Sequence, residues 1–484
     1  MSLRDAYHWP SRTPSRKGSA IKLNKTLRDH LDDLEYKFTV STDLLKRVTE
    51  RFVSELKKGL TTEPGDIPMV PTWVTSCPDG SETGSYLALD MGGTNLRICE
   101  VDVQGNGKFD IMQNKYRMPQ ALKTGTRDEL FDYIATCVKK FVDENHPEGD
   151  KQLEIGFTFS YPCKQPSIDE AILIAWTKGF DIAGVEGESI VPMFNDALKR
   201  VGCNNVTLNA VLNDTTGTLV ASNYTKPGTE AGVIFGTGCN ACYIERFDEI
   251  PKLHGYNFPA DMPMIINCEW CDFDNQHVVL PRTKYDLAID ADHPRPGLQT
   301  YEKMIAGCYM GDILRRILLD LHEQGILFAG QNVTKLRDPL AMDTSVLSMI
   351  EVDPFENLDE TQQLLENTYG LTTTEEERHL IRRVCELIGT RAARLSACGV
   401  CAIVLKTKKQ SLMVGTDGSV YNKYPHFKER LEAAFREILG EEIGSKVITT
   451  PAEDGSGVGA ALVSALQAKG KALTKDILRS RVKN

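Results

Sequence analysis

The side chains of this 484-residue chain that are spaced for chemistry gather in a few short segments. Asp214 stands in Leu212-Asn213-Asp214-Thr215-Thr216-Gly217, where an apolar run gives way to a turn. A carboxylate at the end of a buried strand can accept the proton of a hydroxyl as that hydroxyl attacks phosphorus. Its competing structural role is to cap the helix that follows. A second segment, Asp90-Met-Gly92-Gly93-Thr94-Asn95-Leu-Arg97, has apolar alternation on both sides and predicts strand, glycine turn, strand. Adjacent glycines let backbone N–H groups close around an anion. Thr94 and Asn95 add donors, Arg97 adds a fixed positive charge, and Asp90 offers a hard oxygen for hydrated Mg²⁺. Gly236-Thr237-Gly238-Cys239-Asn240 repeats that plan about 145 residues later, which predicts two related halves facing across a cleft. Gly455-Ser456-Gly457-Val-Gly459 opens a last helix whose free N–H groups favour negative charge, although glycines there equally permit close helix packing.

Other candidates are weaker in isolation. Glu269 lies in an apolar and aromatic setting, Glu302 opens a helical stretch, and Lys178 sits among aromatics in Trp176-Thr177-Lys178-Gly179-Phe180. Each has an ordinary surface or capping role as its alternative. A sugar site would need several such polar groups, because a buried acceptor left unpaired rejects the wrong ligand. Three cysteine pairs have C-x-x-C spacing: Cys239/Cys242, Cys268/Cys271 and Cys398/Cys401. The spacer between the first two pairs is too long for a usual four-thiolate zinc site, and core thiols on alternating strands are expected instead.

Several elements must position these groups. A helix is predicted from Ser41-Thr42-Asp43 to Gly59 through Leu44, Leu45, Val48, Phe52 and Leu56, and another through Leu130, Phe131, Ile134, Cys137, Val138 and Phe141. Residues 61–80 read as a connector, and 260–300 as strand and loop. Leu153–Ser160 and Val206–Leu212 read as strands. One long helix is expected from Glu302 and another over 375–404, with a hairpin over Leu412–Tyr421 that includes Gly415 and Ser419. The mixture indicates an α/β architecture.

The length favours two domains. A net charge of −11 argues against nucleic acid as the main partner. No apolar run is expected to span a bilayer, and the start lacks the apolar core of a signal peptide, so a cytoplasmic protein with reduced thiols is expected. Residues 1–20 are basic and polar and are expected to form a flexible tail.

Together these segments resemble the hexokinase family, most closely its fungal members. Leu89–Arg97 resembles the first phosphate segment, and Gly236–Asn240 the second. Phe157–Pro162 and Trp176–Phe180 resemble the sugar signature, Leu212–Gly217 the catalytic segment, and Asn267-Cys-Glu269-Trp with Glu302-Lys-Met the remaining sugar contacts. Gly415–Tyr421 and Asp454–Gly457 resemble the adenosine segment and a hinge, and the similarity covers about residues 20–480 in order. The resemblance implies a two-lobed actin-like ATPase fold with a central cleft: a small lobe of 79–211 and a large lobe of 21–78 plus 212–484. It implies transfer of the γ-phosphoryl group of ATP to the 6-hydroxyl of glucose, fructose or mannose, with Asp214 as general base and Lys178 steadying developing charge. Ser160, Thr177, Lys178, Asn213, Asp214, Asn240, Glu269 and Glu302 would bind the hexose. Asp90, Gly92, Gly93, Thr94, Asn95, Arg97, Thr215, Gly236, Thr237, Gly415, Ser419, Gly455 and Ser456 would surround ATP. Mg²⁺ would bridge the ATP phosphates and meet Asp90 and Asp214 mostly through water. A monomer or homodimer is expected.

Cys271-Asp272 and Cys308 depart from the family pattern, which bears on sugar preference and ATP affinity respectively. A glucose-restricted glucokinase and a sugar-sensing regulator are the alternative readings. Retention of Asp214, Lys178 and both glycine turns favours an active enzyme, and Thr177–Ile182 with the 267–302 segment looks more like a broad hexokinase than a glucose-restricted glucokinase.

Overall fold

The computed structural model describes residues 23–63, 65–149, 151–177, 179–339 and 341–482. The basic tail expected over 1–20 lies outside them. The strands are β1 Val70–Pro71, β2 Thr83–Met91, β3 Asn95–Gly105, β4 Lys108–Arg117, β5 Leu153–Phe159, β6 Cys163–Ser167, β7 Glu170–Leu173, β8 Val206–Leu212, β9 Thr229–Phe235, β10 Cys239–Arg246, β11 Pro263–Asn267, β12 Leu412–Asp417 and β13 Val447–Pro451.

These strands form two principal sheets, ordered β4-β3-β2-β5-β8 and β1-β11-β10-β9-β12-β13, beside a small β6-β7 ribbon. In the first sheet β2 pairs antiparallel with β3 and parallel with β5. In the second, β9 pairs antiparallel with β10 and parallel with β12. Apart from the short β1 at one edge, the sheets thus share one strand order and one pattern of directions. The similarity of the two glycine hairpins in the sequence is the local trace of this repeat.

Each half ends in a helix that packs between the sheets. The helix Asp214–Thr225 follows β8 and packs on β9, whereas Gly455–Ala468 follows β13 and packs on β2 and β5. The two helices also pack on each other, and glycine permits it. A Cβ on Gly459 would lie 2.3 Å from the Gly217 backbone, and one on Gly217 2.6 Å from the Gly455 carbonyl oxygen. The packing alternative for this glycine run is therefore realised.

The predicted helices have clear local causes. Thr42–Gly59 begins at Ser41, whose side chain accepts from Leu44 N–H, and buries Leu45, Val48, Phe52 and Leu56. Arg127–Asn145 begins with a capping box between Thr126 and Glu129 and buries Leu130, Ile134, Val138 and Phe141 against the first sheet's core.

Several expectations change. The helix predicted from Glu302 is two helices, Thr300–Ile305 and Gly307–Glu323, separated by Ala306 in an extended conformation. The break lets Gly307 N–H donate to the Gly236 carbonyl at 2.9 Å. The hairpin predicted over Leu412–Tyr421 is β12 followed by a short helix, Ser419–Lys423. A helix, Lys284–Asp292, lies in the segment read as strand and loop. Cys398 and Cys401 lie on the helix Glu375–Thr407, not on strands. That helix, among the described residues, is long and apolar enough to cross a membrane, contrary to expectation, yet 89% of its apolar stretch is buried inside the protein.

The chain divides into two compact units. One comprises Val40–Arg282, Asp286–Cys308 and Ala392–Asn484, apart from the undescribed residues, and contains both sheets. The other comprises the described part of Met1–Thr39, Thr283–Tyr285 and Tyr309–Arg391. It is helical, and Glu35 pairs with Arg383 at 2.7 Å while the Arg391 guanidinium lies 4.5 Å from the Phe38 ring centre. Its first helix, Lys25–Phe38, went unpredicted.

Candidate active site

The first glycine turn connects β2 to β3. Gly92 N–H donates to the Asn95 carbonyl at 3.0 Å, and the Thr94 carbonyl accepts from Met118 N–H at 2.8 Å. Strand register sets Asp90 directly opposite Arg97. Nη2 of Arg97 lies 3.3 Å from Asp90 Oδ2, 2.9 Å from Ser456 Oγ and 2.6 Å from Asp454 Oδ1. Ser456 in turn donates to Asp90 at 2.9 Å. Burial pushes the Asp90 carboxyl up from its ordinary range, while Arg97 and the Ser456 hydroxyl pull it back. The first turn is thereby tied to the N-terminus of the Gly455–Ala468 helix, a contact between residues more than 350 positions apart.

The second turn connects β9 to β10. Its Gly236 N–H donates to the Gly238 carbonyl at 2.9 Å, and the Thr237 carbonyl accepts from Cys308 N–H at 3.1 Å. Gly418, at φ +108°, brings the Ser419 helix against this turn, and a Cβ there would lie 2.4 Å from the Phe235 carbonyl. Gly415 lies where a Cβ would meet Ser222 Oγ at 2.1 Å, so its lack of a side chain seats β12 on the Asp214–Thr225 helix. Cys308 is exposed beside the turn.

Asp214 is the first residue of its helix, and the cap is Asn213. Asn213 Oδ1 accepts from Thr215 N–H at 2.9 Å and Thr215 Oγ at 2.7 Å. The capping role weighed for Asp214 is thus filled by its neighbour.

A polar cluster surrounds this helix start. Oε1 of Glu269 accepts from Asn267 at 2.7 Å, Asn240 at 3.2 Å and Asn213 at 3.4 Å. Glu269 adopts a left-handed conformation, φ +56°, fixed by its own N–H donating to Asn240 Oδ1 at 3.0 Å. Burial pushes its carboxyl up to about 7, with the Asn267 hydrogen bond opposing and Asp214 and Glu302 adding to the rise. Glu302 accepts from Cys239 N–H at 2.9 Å and from the Gln299 amide at 2.9 Å, which places it directly behind the second glycine turn.

Ser160 is half-buried just past the end of β5. Thr177 accepts through its carbonyl from Phe180 N–H at 3.1 Å, in a loop anchored by Tyr161, Trp176 and Phe180. Lys178 lies outside the described residues. The geometry adds Asn267, Gln299 and Asp454. Asn267, two residues before Glu269, and Asp454, which opens the Asp454–Gly457 segment, had a sequence signal; Gln299 had none, and the contact of Asp454 with Arg97 is long-range.

Two family models, both described as hexokinase, match residues 30–224 and 230–466. The chain is 78% identical to Hexokinase-1 of Schizosaccharomyces pombe over the whole of both chains. It is 48% identical to Hexokinase-2 of Saccharomyces cerevisiae over 95% of this chain and 96% of the relative. Among solved structures, the hexokinase of Schistosoma mansoni complexed with glucose superposes with a TM-score of 0.82 at 33% identity, covering 91% of this chain and 99% of the other. The fold is the two-lobed α/β sugar-kinase fold of these proteins. The paired glycine turns, the carboxylate-and-amide cluster beside them and these likenesses lead to one assignment: the chain belongs to the hexokinase family, and it phosphorylates hexose at the expense of ATP.

Proposed function

We propose that this enzyme transfers the γ-phosphoryl group of ATP to the 6-hydroxyl of glucose, fructose and mannose, with Asp214 as general base. The observation that carries this reading is the capping of the Asp214–Thr225 helix by Asn213, which leaves Asp214 at the helix start beside the Asn213, Asn240, Asn267 and Glu269 cluster. The hexose would bind to that cluster together with Ser160, Thr177, Lys178 and Glu302. Its hydroxyls donate to the carboxylates and accept from the amides, so a sugar lacking a hydroxyl at one of these contacts leaves a buried group unpaired. Asp214 takes the proton from the 6-hydroxyl as that oxygen attacks phosphorus.

The β- and γ-phosphates would be held by the turns at Gly92–Asn95 and Gly236–Gly238, with Arg97, Thr215 and Thr237, and the adenosine would lie near Gly415, Ser419, Gly455 and Ser456. Both turns present backbone N–H groups, which suits an anion. Asp90 and Asp214 are hard oxygen donors on separate elements, a set that suits Mg²⁺ arriving on the nucleotide and retaining most of its water. Bound there, the ion would neutralise phosphate charge.

The expected division into a lobe of 79–211 and a lobe of 21–78 plus 212–484 has the support of sheet membership, since β1 from the first segment joins β9–β13. Closure of these lobes on the sugar would exclude water as a competing acceptor. Thirteen cysteines, all unpaired to one another, accord with a reducing, cytoplasmic setting. The test is a coupled assay of hexose 6-phosphate formation from Mg·ATP with each of the three sugars. Turnover on all three is the expected result. Turnover on glucose alone would replace broad preference with a glucokinase, and sugar binding without turnover would make the protein a regulator.

A further inference from the structure

The amides around Glu269 form a directed chain. It starts at backbone N–H groups, which cannot change from donor to acceptor. Asn240 Oδ1 accepts from Ala241 N–H at 2.7 Å and Glu269 N–H at 3.0 Å. That fixes the orientation of Asn240, whose Nδ2 must donate, and it does so to Asn267 Oδ1 at 2.8 Å. Asn267 is fixed in turn, so its Nδ2 donates to Glu269 Oε1 at 2.7 Å. Asn267 ends β11 and is 6% exposed, so water cannot readily take its place. A turned Asn267 amide would set oxygen against Glu269 Oε1 and nitrogen against the Asn240 Nδ2 donor.

We propose that Asn267 is a positioning residue for hexose phosphorylation: its amide holds Glu269 ionised and aimed to accept from a sugar hydroxyl. The inference rests on the reading of Glu269 as a hexose contact. The need for such a donor follows from the surroundings. Asp214 from its helix start, Glu302 from the Thr300–Ile305 helix and Asp272 from the turn after Glu269 all disfavour a charged Glu269, as burial does. The neighbouring thiols of Cys163, Cys239, Cys268 and Cys271 are pushed up by burial, so they stay neutral near pH 7 and add no negative charge of their own. The Asn267 amide is the shortest of the three side-chain donors to Oε1.

The sign of the effect follows directly. A carboxylate whose titration is raised toward neutrality binds sugar when ionised, so hexose affinity falls as pH drops through that region. Removing the Asn267 donor raises the titration further and moves this acid limb to higher pH. A lost hydrogen bond to a charged group corresponds to a shift of about one pH unit, hence roughly fivefold weaker hexose binding at pH 7.

The experiment is calorimetric titration of the full chain with glucose between about pH 5.5 and 8.5 for wild type, Asn267→Ala and Glu269→Gln, with ATP affinity as a parallel readout. The expected result is an acid limb displaced upward in Asn267→Ala, with ATP affinity unchanged. If Asn267→Ala fails to fold, the isosteric Asn267→Asp sets one carboxylate against another and must displace the limb in the same direction. Weak glucose binding by Glu269→Gln with an unmoved limb in the Asn267 variants would overturn the role of Asn267 alone. Wild-type glucose binding by Glu269→Gln would overturn the reading of Glu269 and this inference with it.

Discussion

Alanine at Gly459 tests whether the seam between the two halves sets the position of the catalytic carboxylate. A Cβ there would lie 2.3 Å from Cα and the carbonyl oxygen of Gly217, where ordinary contact begins at 3.4 Å. The conflict is backbone against methyl, so no rotamer relieves it, and the helices must separate by about 1 Å. Overpacking of this kind costs about 1–3 kcal/mol, and the rigidity of both partners puts this case at the upper end. The displaced helix begins at Asp214 and Thr215, and a misplacement of about 1 Å at reacting groups costs about a hundredfold in rate. Thermal unfolding and kcat for hexose 6-phosphate formation should therefore fall together. Gly255→Ala is the control, because a Cβ there meets nothing within 4 Å and its φ is unexceptional. A Gly459→Ala protein that matches this control in both melting temperature and kcat would refute the argument.

Two further substitutions separate the ends of the site. Arg97→Ala removes the proposed phosphate contact and its pairs with Asp90, Asp454 and Ser456, and KM for ATP should rise roughly ten- to a hundredfold while hexose affinity is kept. Steady-state kinetics with each substrate varied in turn measures the split, and equal effects on both substrates would contradict it. Gly238→Ala sets a methyl 2.7 Å from Glu302 Oε2, so hexose KM should rise about tenfold or more with a smaller change for ATP. An unchanged hexose KM would place the sugar away from Glu302.

What the sequence makes legible here is local, and what it conceals is long-range. Both glycine hairpins can be read from alternation and turn residues because strand and turn chemistry depend on adjacent positions. The Thr42–Gly59 helix is legible from Ser41 and its apolar period. The break at Ala306 is not, because it exists to bring Gly307 and Cys308 onto the carbonyls of Gly236 and Thr237. The pairing of Arg97 with Asp454 likewise has no local cause; it is created when the last helix packs on β2 and β5. Asp214 is an intermediate case. Its segment marks a helix start, but only the geometry assigns the cap to Asn213. The Lys25–Phe38 helix does carry a local signal, since Leu27, Leu31, Leu34 and Phe38 recur with helical period after Asn24.

The central claim is that Asp214 is the base that takes the proton from the attacking hydroxyl. Asp214→Asn keeps the size of the side chain at the helix start and removes the proton acceptor. Calorimetric glucose binding and single-turnover formation of glucose 6-phosphate, measured on the same preparation, test the claim most directly. The account predicts glucose affinity within severalfold of wild type and a chemical step slowed by about 10²–10⁴-fold. A chemical step within about tenfold of wild type, with glucose bound normally, would contradict it.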